Sequence, residues 1–434
     1  MKTPINIFWF RRDLRLNDNK GLYIALNGEF KVLPIFIFDS DILDNLPEDD
    51  ARVSFIHNTV QSLRQKLQKE YQASIAIFFG RPIDIFIKLL SEFNINTVFT
   101  NNDYEPYARK RDKEINTYLE KNNIEFRTFK DHVIFEKNEV VKNNGKPYLV
   151  YTPYMRTWKQ KFKSQQLKLY KSIDLLKNLI SVKELPNLNL TELGFSESNQ
   201  KIKPYKFTTE VINNYEAKRD FPAIDATSKL GPHLRFGTIS IREIIKVASN
   251  SRNEIFLQEL IWREFFIQIL WHFPHTLNES FKAKYDRIEW RNNEAEFKAW
   301  CEGKTGYPLV DAGMRELNKT GFMHNRVRML VGSFLCKHLL IDWRWGESYF
   351  AQKLHDYEMA SNIGNWQWVA GCGVDAAPYF RIFNPTTQVK KFDKNLTYIK
   401  NWVPDFQELT YPEPIVDHKF ARERCLNIYK EALN

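Results

Sequence analysis

The sequence has few cysteines and no arrangement of them that carries chemistry. Its four, Cys301, Cys336, Cys372 and Cys425, include no C-x-x-C pair, and no Cys/His cluster has zinc spacing. That excludes a disulfide framework and a zinc site, and it points to reduced thiols in a cytoplasmic protein. The first residues, MKTPINIFWFRRD, lack the apolar stretch of a signal peptide. No apolar run approaches the length of a membrane span. No G-x-G-x-x-G follows the first strand-like run, which removes the usual dinucleotide fingerprint. No low-complexity extension closes the chain. The expectation is a soluble cytoplasmic monomer with no metal and no membrane partner.

What the sequence does hold is basic and aromatic. Over 434 residues, Lys and Arg number 63 against 53 Asp and Glu, and the hydrophobic share is 43%. Two domains with sizeable cores follow from that length, and the positive balance favours a polyanion such as nucleic acid. Nine of the eleven tryptophans lie after residue 260.

Short apolar runs at 5–10, 32–38, 74–79 and 96–100 alternate with helical patterns at 51–70, 83–93 and 107–122. That alternation predicts an N-terminal α/β domain, a parallel sheet wrapped by helices, over residues 1–130. Residues 131–200 lose periodicity and read as a connection lying on the surface. From 201 to 434 the pattern is helical, clearest at 239–248, 254–272, 312–320, 326–340 and 346–354. A larger all-α domain is expected there.

Four clusters stand out. In 349–384, Trp366 and Trp368 are flanked by Asp356, Glu358, Asn362 and Asn365 and followed by small residues. Tryptophans stack on flat groups, and Asn and Asp hydrogen-bond a heterocycle's polar edge. Glu259, Trp262, Arg263 and Phe266 fall on one helix face at i, i+3, i+4 and i+7. In Met323–Met329, Asn325 and Met329 share a face while Arg326 and Arg328 project elsewhere. In Ala226–Leu234, Thr227, Ser228 and the amides around Gly231 suit a phosphate. Taken singly, Trp300, Trp343 and Trp366 read as core tryptophans.

WFRRDLRLNDN, TSKLGPHL, ELIWREFF, AWCEGKTGYP, MHNRVRM, IDWRWGESYF and NIGNWQWVAGCGVDAAPYFRIFNPTTQ, in this order, resemble the photolyase/cryptochrome superfamily. The match is nearest to class I photolyases acting on cyclobutane pyrimidine dimers in DNA. The resemblance implies FAD held by Tyr215, Thr227, Ser228, Lys229, Leu230, Gly231, Arg328, Asp356, Tyr357 and Glu358, with Asn362 facing flavin N5. It implies a lesion pocket of Glu259, Trp262, Asn325, Met329 and Trp368. Arg219, Arg263, Arg326, Arg381 and Gln388 would grip the DNA backbone. Trp366, Trp343 and Trp300 would relay electrons outward from the flavin. Glu358 departs from the Asp of close relatives, and Asn365 from a glycine. Tyr107 and Ala108 stand where a folate-binding member carries Asn-Glu. That argues against a folate antenna and leaves a deazaflavin, another flavin or none open. The implied activity is light-driven dimer repair by electron transfer from reduced FAD. A cryptochrome-type photoreceptor and a 6-4 photolyase are the alternatives.

Overall fold

A computed structural model of the chain describes residues 3–181 and 184–434. It divides into two compact units, both discontinuous in sequence. The first comprises 1–140, 158–204 and 230–250, the second 141–157, 205–229 and 251–434.

The first unit is built on five parallel strands: β1 (Ile5–Phe10), β2 (Val32–Asp39), β3 (Ala76–Gly80), β4 (Ile95–Asn101) and β5 (Glu125–Phe129). Their order is β3-β2-β1-β4-β5. The central strands are buried along nearly their whole length, because helices cover both faces of a parallel sheet. Their continuous apolar runs made them legible. β5, EFRTF, sits at the edge and is largely exposed, so it carries no such run and was not expected.

The aperiodic stretch 131–200 also proves structured. It contains a helix, Tyr151–Ser164, and buried side chains on both sides of the division between units. Trp158 packs edge-on against Phe135 in the first unit, and Tyr151 is buried in the second. A few well-spaced aromatics anchor this lysine-rich segment without producing a periodic pattern.

The second unit is helical. Four of its helices position the site: α1 (Glu254–His272), α2 (Asn325–Ser333), α3 (Trp343–Lys353) and α4 (Met359–Ala370). Asn253 caps α1 by accepting the Ile255 N–H, as a helix N-terminus requires. The helix expected over 326–340 instead ends at Ser333 and continues as a wider π turn, Phe334–His338. α4 packs against α1, α2 and α3. The close approach of α3 to α4 depends on Gly346, where an added Cβ would lie 2.1 Å from the Trp366 ring.

Candidate functional site

α2, α4 and the loop 354–358 line an open cavity. Arg328, Asp356, Tyr357, Glu358 and Asn362, expected at a flavin, line it. So do Asn325, Met329 and Trp368, expected at a lesion, and Trp366 of the expected relay. Helical spacing explains much of this: Asn325, Arg328 and Met329 are i, i+3 and i+4 on α2.

Asn362 is the best-defined polar group. Its Nδ2 donates to the backbone carbonyl of Glu347 at 3.1 Å and to Glu347 Oε1 at 2.9 Å. A backbone carbonyl only accepts, so the amide nitrogen must face Glu347 and the oxygen must face away. Burial pushes the Glu347 carboxyl upward, while the bonds from Asn362 and Tyr357 pull it back. Glu347 was absent from the sequence reading. It lies fifteen residues from Asn362, and no local spacing joins them.

Asp356 accepts from Arg328 at 2.9 Å through one oxygen, while its buried Oδ1 has no partner. A partly apolar cavity with an orphaned carboxylate oxygen and an oriented amide suits a flat heterocycle with polar edges, and an isoalloxazine fits that description. Thr227 Oγ1 is likewise buried without a partner, beside Lys229 in the left-handed region at φ +56°. Ser228 accepts the Lys206 N–H through its carbonyl. Leu230 is buried, and Gly231 opens a five-residue helix that belongs to the first unit. Tyr215 packs edge-on against Phe256, and burial pushes its hydroxyl up to about 12.

On α1, Glu259 accepts from Arg219 Nη1 at 2.5 Å. Trp262 is stacked on Tyr151, ring centroids 3.6 Å apart at 7°. Tyr151, a residue the sequence reading did not single out, donates its hydroxyl to the Gln258 carbonyl one turn before Trp262. Arg326 pairs with Asp220 at 2.5 Å and lies over Phe392. Arg381 is exposed and Gln388 half-buried.

Arg263, expected at the DNA backbone, has a side chain 12% exposed that donates at 2.8 Å to Glu358, a residue lining the cavity. A guanidinium buried beside a carboxylate stays with that carboxylate, since removing either partner strands a charge.

Trp366, Trp343 and Trp300, expected to relay electrons, share one core at 3%, 1% and 0% exposure. Trp300 packs directly on Trp366, ring centroids 6.2 Å apart. Four half-buried indoles pack against this core: Trp290, Trp345, Trp368 and Trp402. Arg291 N–H donates to the Leu340 carbonyl and Asn292 Oδ1 accepts from Asp342 N–H, which ties the segment after Trp290 to the one that leads into Trp343.

His324 caps α2: its Nδ1 accepts the Arg326 N–H at 3.2 Å, so the ring proton sits on Nε2, which is buried without a partner. Burial, then Lys229 and Arg328, lower its pKa from 6.5 to about 4. The neutral ring therefore contributes stability that is full above the unfolded value and is lost as pH falls through the folded one. At 1.36 kcal/mol per pH unit, this is worth about 3 kcal/mol between pH 6.5 and 4. His324→Gln should flatten that part of the acid slope in denaturant titrations at pH 7 and 4.5. Parallel losses in both proteins would exclude the assignment.

Among the described residues, no group of three or more His, Cys, Asp or Glu could hold a metal ion. No helix there is long and apolar enough to cross a membrane.

Two family models match the chain: DNA photolyase over residues 6–172 and the FAD binding domain of DNA photolyase over 256–410. A deoxyribodipyrimidine photo-lyase from Synechococcus is 35% identical, over 99% of this chain and 97% of its own. The crystal structure of a bacterial class III photolyase from Agrobacterium tumefaciens superposes with a TM-score of 0.88 at 34% identity, covering 100% of this chain and 98% of that one. An archaeal photolyase from Sulfolobus tokodaii, whose crystal structure holds two FAD molecules, gives 0.81 at 33% identity, covering 99% and 100%.

Proposed function

The chain belongs to the DNA photolyase family, and from that membership and the shared cavity we propose that it is a deoxyribodipyrimidine photo-lyase, repairing cyclobutane pyrimidine dimers in damaged DNA under light with FAD as its cofactor. The observation that carries this reading is one cavity lined both by Arg328, Asp356 and Asn362 and by Asn325, Met329 and Trp368.

Bound reduced FAD supplies the electron that light drives onto the dimer. The protein's own part is positioning and charge. Arg328 and Asp356 hold the cofactor's polar edge, and Glu347 turns the Asn362 oxygen toward it as an acceptor. Trp262, braced by Tyr151, and Trp368 wall the lesion, a flipped pair of bases whose pairing is already weak. Glu259, held by Arg219, would accept a hydrogen bond from an N–H on the dimer edge and fix its orientation. Asn325 and Met329 complete the pocket. Arg326, Arg381 and Gln388 meet the backbone. Trp366, Trp343 and Trp290 would pass electrons inward to a bound flavin.

The residues at the lesion favour dimer splitting over 6-4 repair. Moving a hydroxyl between bases calls for proton transfer, most often by a positioned histidine. Positions 325 and 329 hold Asn and Met. His324 is buried, with Nδ1 committed to the helix cap.

The test irradiates reduced protein with oligonucleotides carrying each lesion and follows products by chromatography. Loss of cyclobutane dimers with no change in the 6-4 lesion is expected. Repair of the 6-4 lesion, or of neither, would overturn the reading. A hydrogen bond to a charged group is worth about 1.5–3 kcal/mol. Glu259→Ala should therefore lower the repair yield per photon by about ten-fold or more, with a smaller loss of binding to damaged DNA. An equal loss in both would place Glu259 in binding alone.

A further inference from the structure

Two adjacent residues of opposite charge, Arg219 and Asp220, follow the short helix Tyr215–Lys218. Each reaches a different helix. Arg219 pairs with Glu259 on α1, and Asp220 Oδ1 accepts from Arg326 Nη2 on α2, both at 2.5 Å. Asp220 Oδ1 also lies 4.0 Å from Arg219 Nε. This turn therefore holds both Glu259 and Arg326. Arg326 also stands over Phe392, and its Nε is buried without a partner.

We propose that Asp220 is a specificity-determining residue: it holds Arg326 away from the phosphates of undamaged DNA and releases it only when a flipped lesion draws the backbone into the pocket. This rests on the reading of Arg326 as a DNA contact. The pair is partly open, with side chains 22% and 38% exposed, so water and salt weaken it enough for exchange. A phosphate presented in fixed geometry accepts from a guanidinium through two parallel bonds and displaces the carboxylate. Backbone passing loosely over the surface offers no such geometry. Undamaged DNA is then bound by the remaining cations, and the lesion recruits one more.

The inference predicts a difference in salt dependence. Each phosphate neutralised on duplex DNA steepens the plot of log affinity against log salt by about 0.9. In Asp220→Asn holoprotein, affinity for an undamaged duplex should rise several-fold and its slope steepen by about 0.9. The slope on the same duplex carrying one thymine dimer should stay as in the wild type. Asp220→Glu, which keeps the charge, should behave as wild type. In an Arg326→Ala background, Asp220→Asn should leave the slope on undamaged DNA unchanged, because the effect runs through that guanidinium. The same steepening in that background would overturn the proposal in favour of a general field effect. An unchanged or weaker interaction of Asp220→Asn with undamaged DNA would overturn it too, with thermal melts confirming that the variant is folded. Wild-type protein showing no salt-dependent DNA binding would overturn this proposal and the functional reading together.

Discussion

Trp366→Phe is expected to abolish light-driven reduction of the oxidised cofactor while sparing dimer repair by chemically reduced protein. Trp366 lines the cavity and is in ring contact with Trp300 and Phe350, so it joins the cavity to the aromatic core behind it. A phenyl ring keeps much of the packing but is far harder to oxidise. Repair itself begins from reduced cofactor and needs no such entry. The measurement is bleaching of the oxidised cofactor's absorption under blue light with a thiol as donor. Variants of the neighbouring indoles sharpen the test. Trp290→Phe should slow bleaching, since Trp290 is half-buried and the residues after it hydrogen-bond the segment that leads into Trp343. Trp300→Phe should leave most of it, because that ring is fully buried behind Trp366. Normal bleaching in Trp366→Phe would reject the relay. Loss in Trp300→Phe with none in Trp290→Phe would restore the outward order expected from the family resemblance.

Gly346→Ala should unfold the site by steric means alone. The new methyl would lie 2.1 Å from Trp366 Cη2 and 2.6 Å from Leu335 Cδ2. Neither neighbour can retreat: Trp366 and Leu335 are buried in the core that also holds Trp343 and Phe350. Either α3 separates from α4 or the indole rotates into the cavity. Overpacking of this kind costs about 1–3 kcal/mol. The expected result is a lower melting temperature together with weaker FAD retention, measured by release of bound flavin on dilution. Ser348→Ala, at an exposed position of the same helix, should change neither. Retained flavin affinity in Gly346→Ala would mean that the ring contact does not set the cavity's shape.

Periodic burial made α1 legible to the residue: the apolar pattern over 254–272 is the helix Glu254–His272. The first four strands were legible from their apolar runs, since such a run is what a parallel sheet covered on both faces requires. The chemical kinds of residue at the site were legible too. Indoles, amides and carboxylates clustered in 356–368 already pointed to a flat polar-edged group. What the local pattern could not show is how those residues pair. Glu347 with Asn362, Arg263 with Glu358 and Asp220 with Arg326 are separated by 15, 95 and 106 residues. Each pairing exists only because helices cross at a particular place. That crossing is set by packing, as where Gly346 admits Trp366, and packing leaves no period in the sequence. The same holds for Tyr151, in a segment without periodicity, which acquires its role only when the fold lays it on Trp262. Trp300 and Trp290 are both tryptophans near charged residues in the sequence. They differ in depth below the surface, a property of the folded volume that no single stretch of chain possesses.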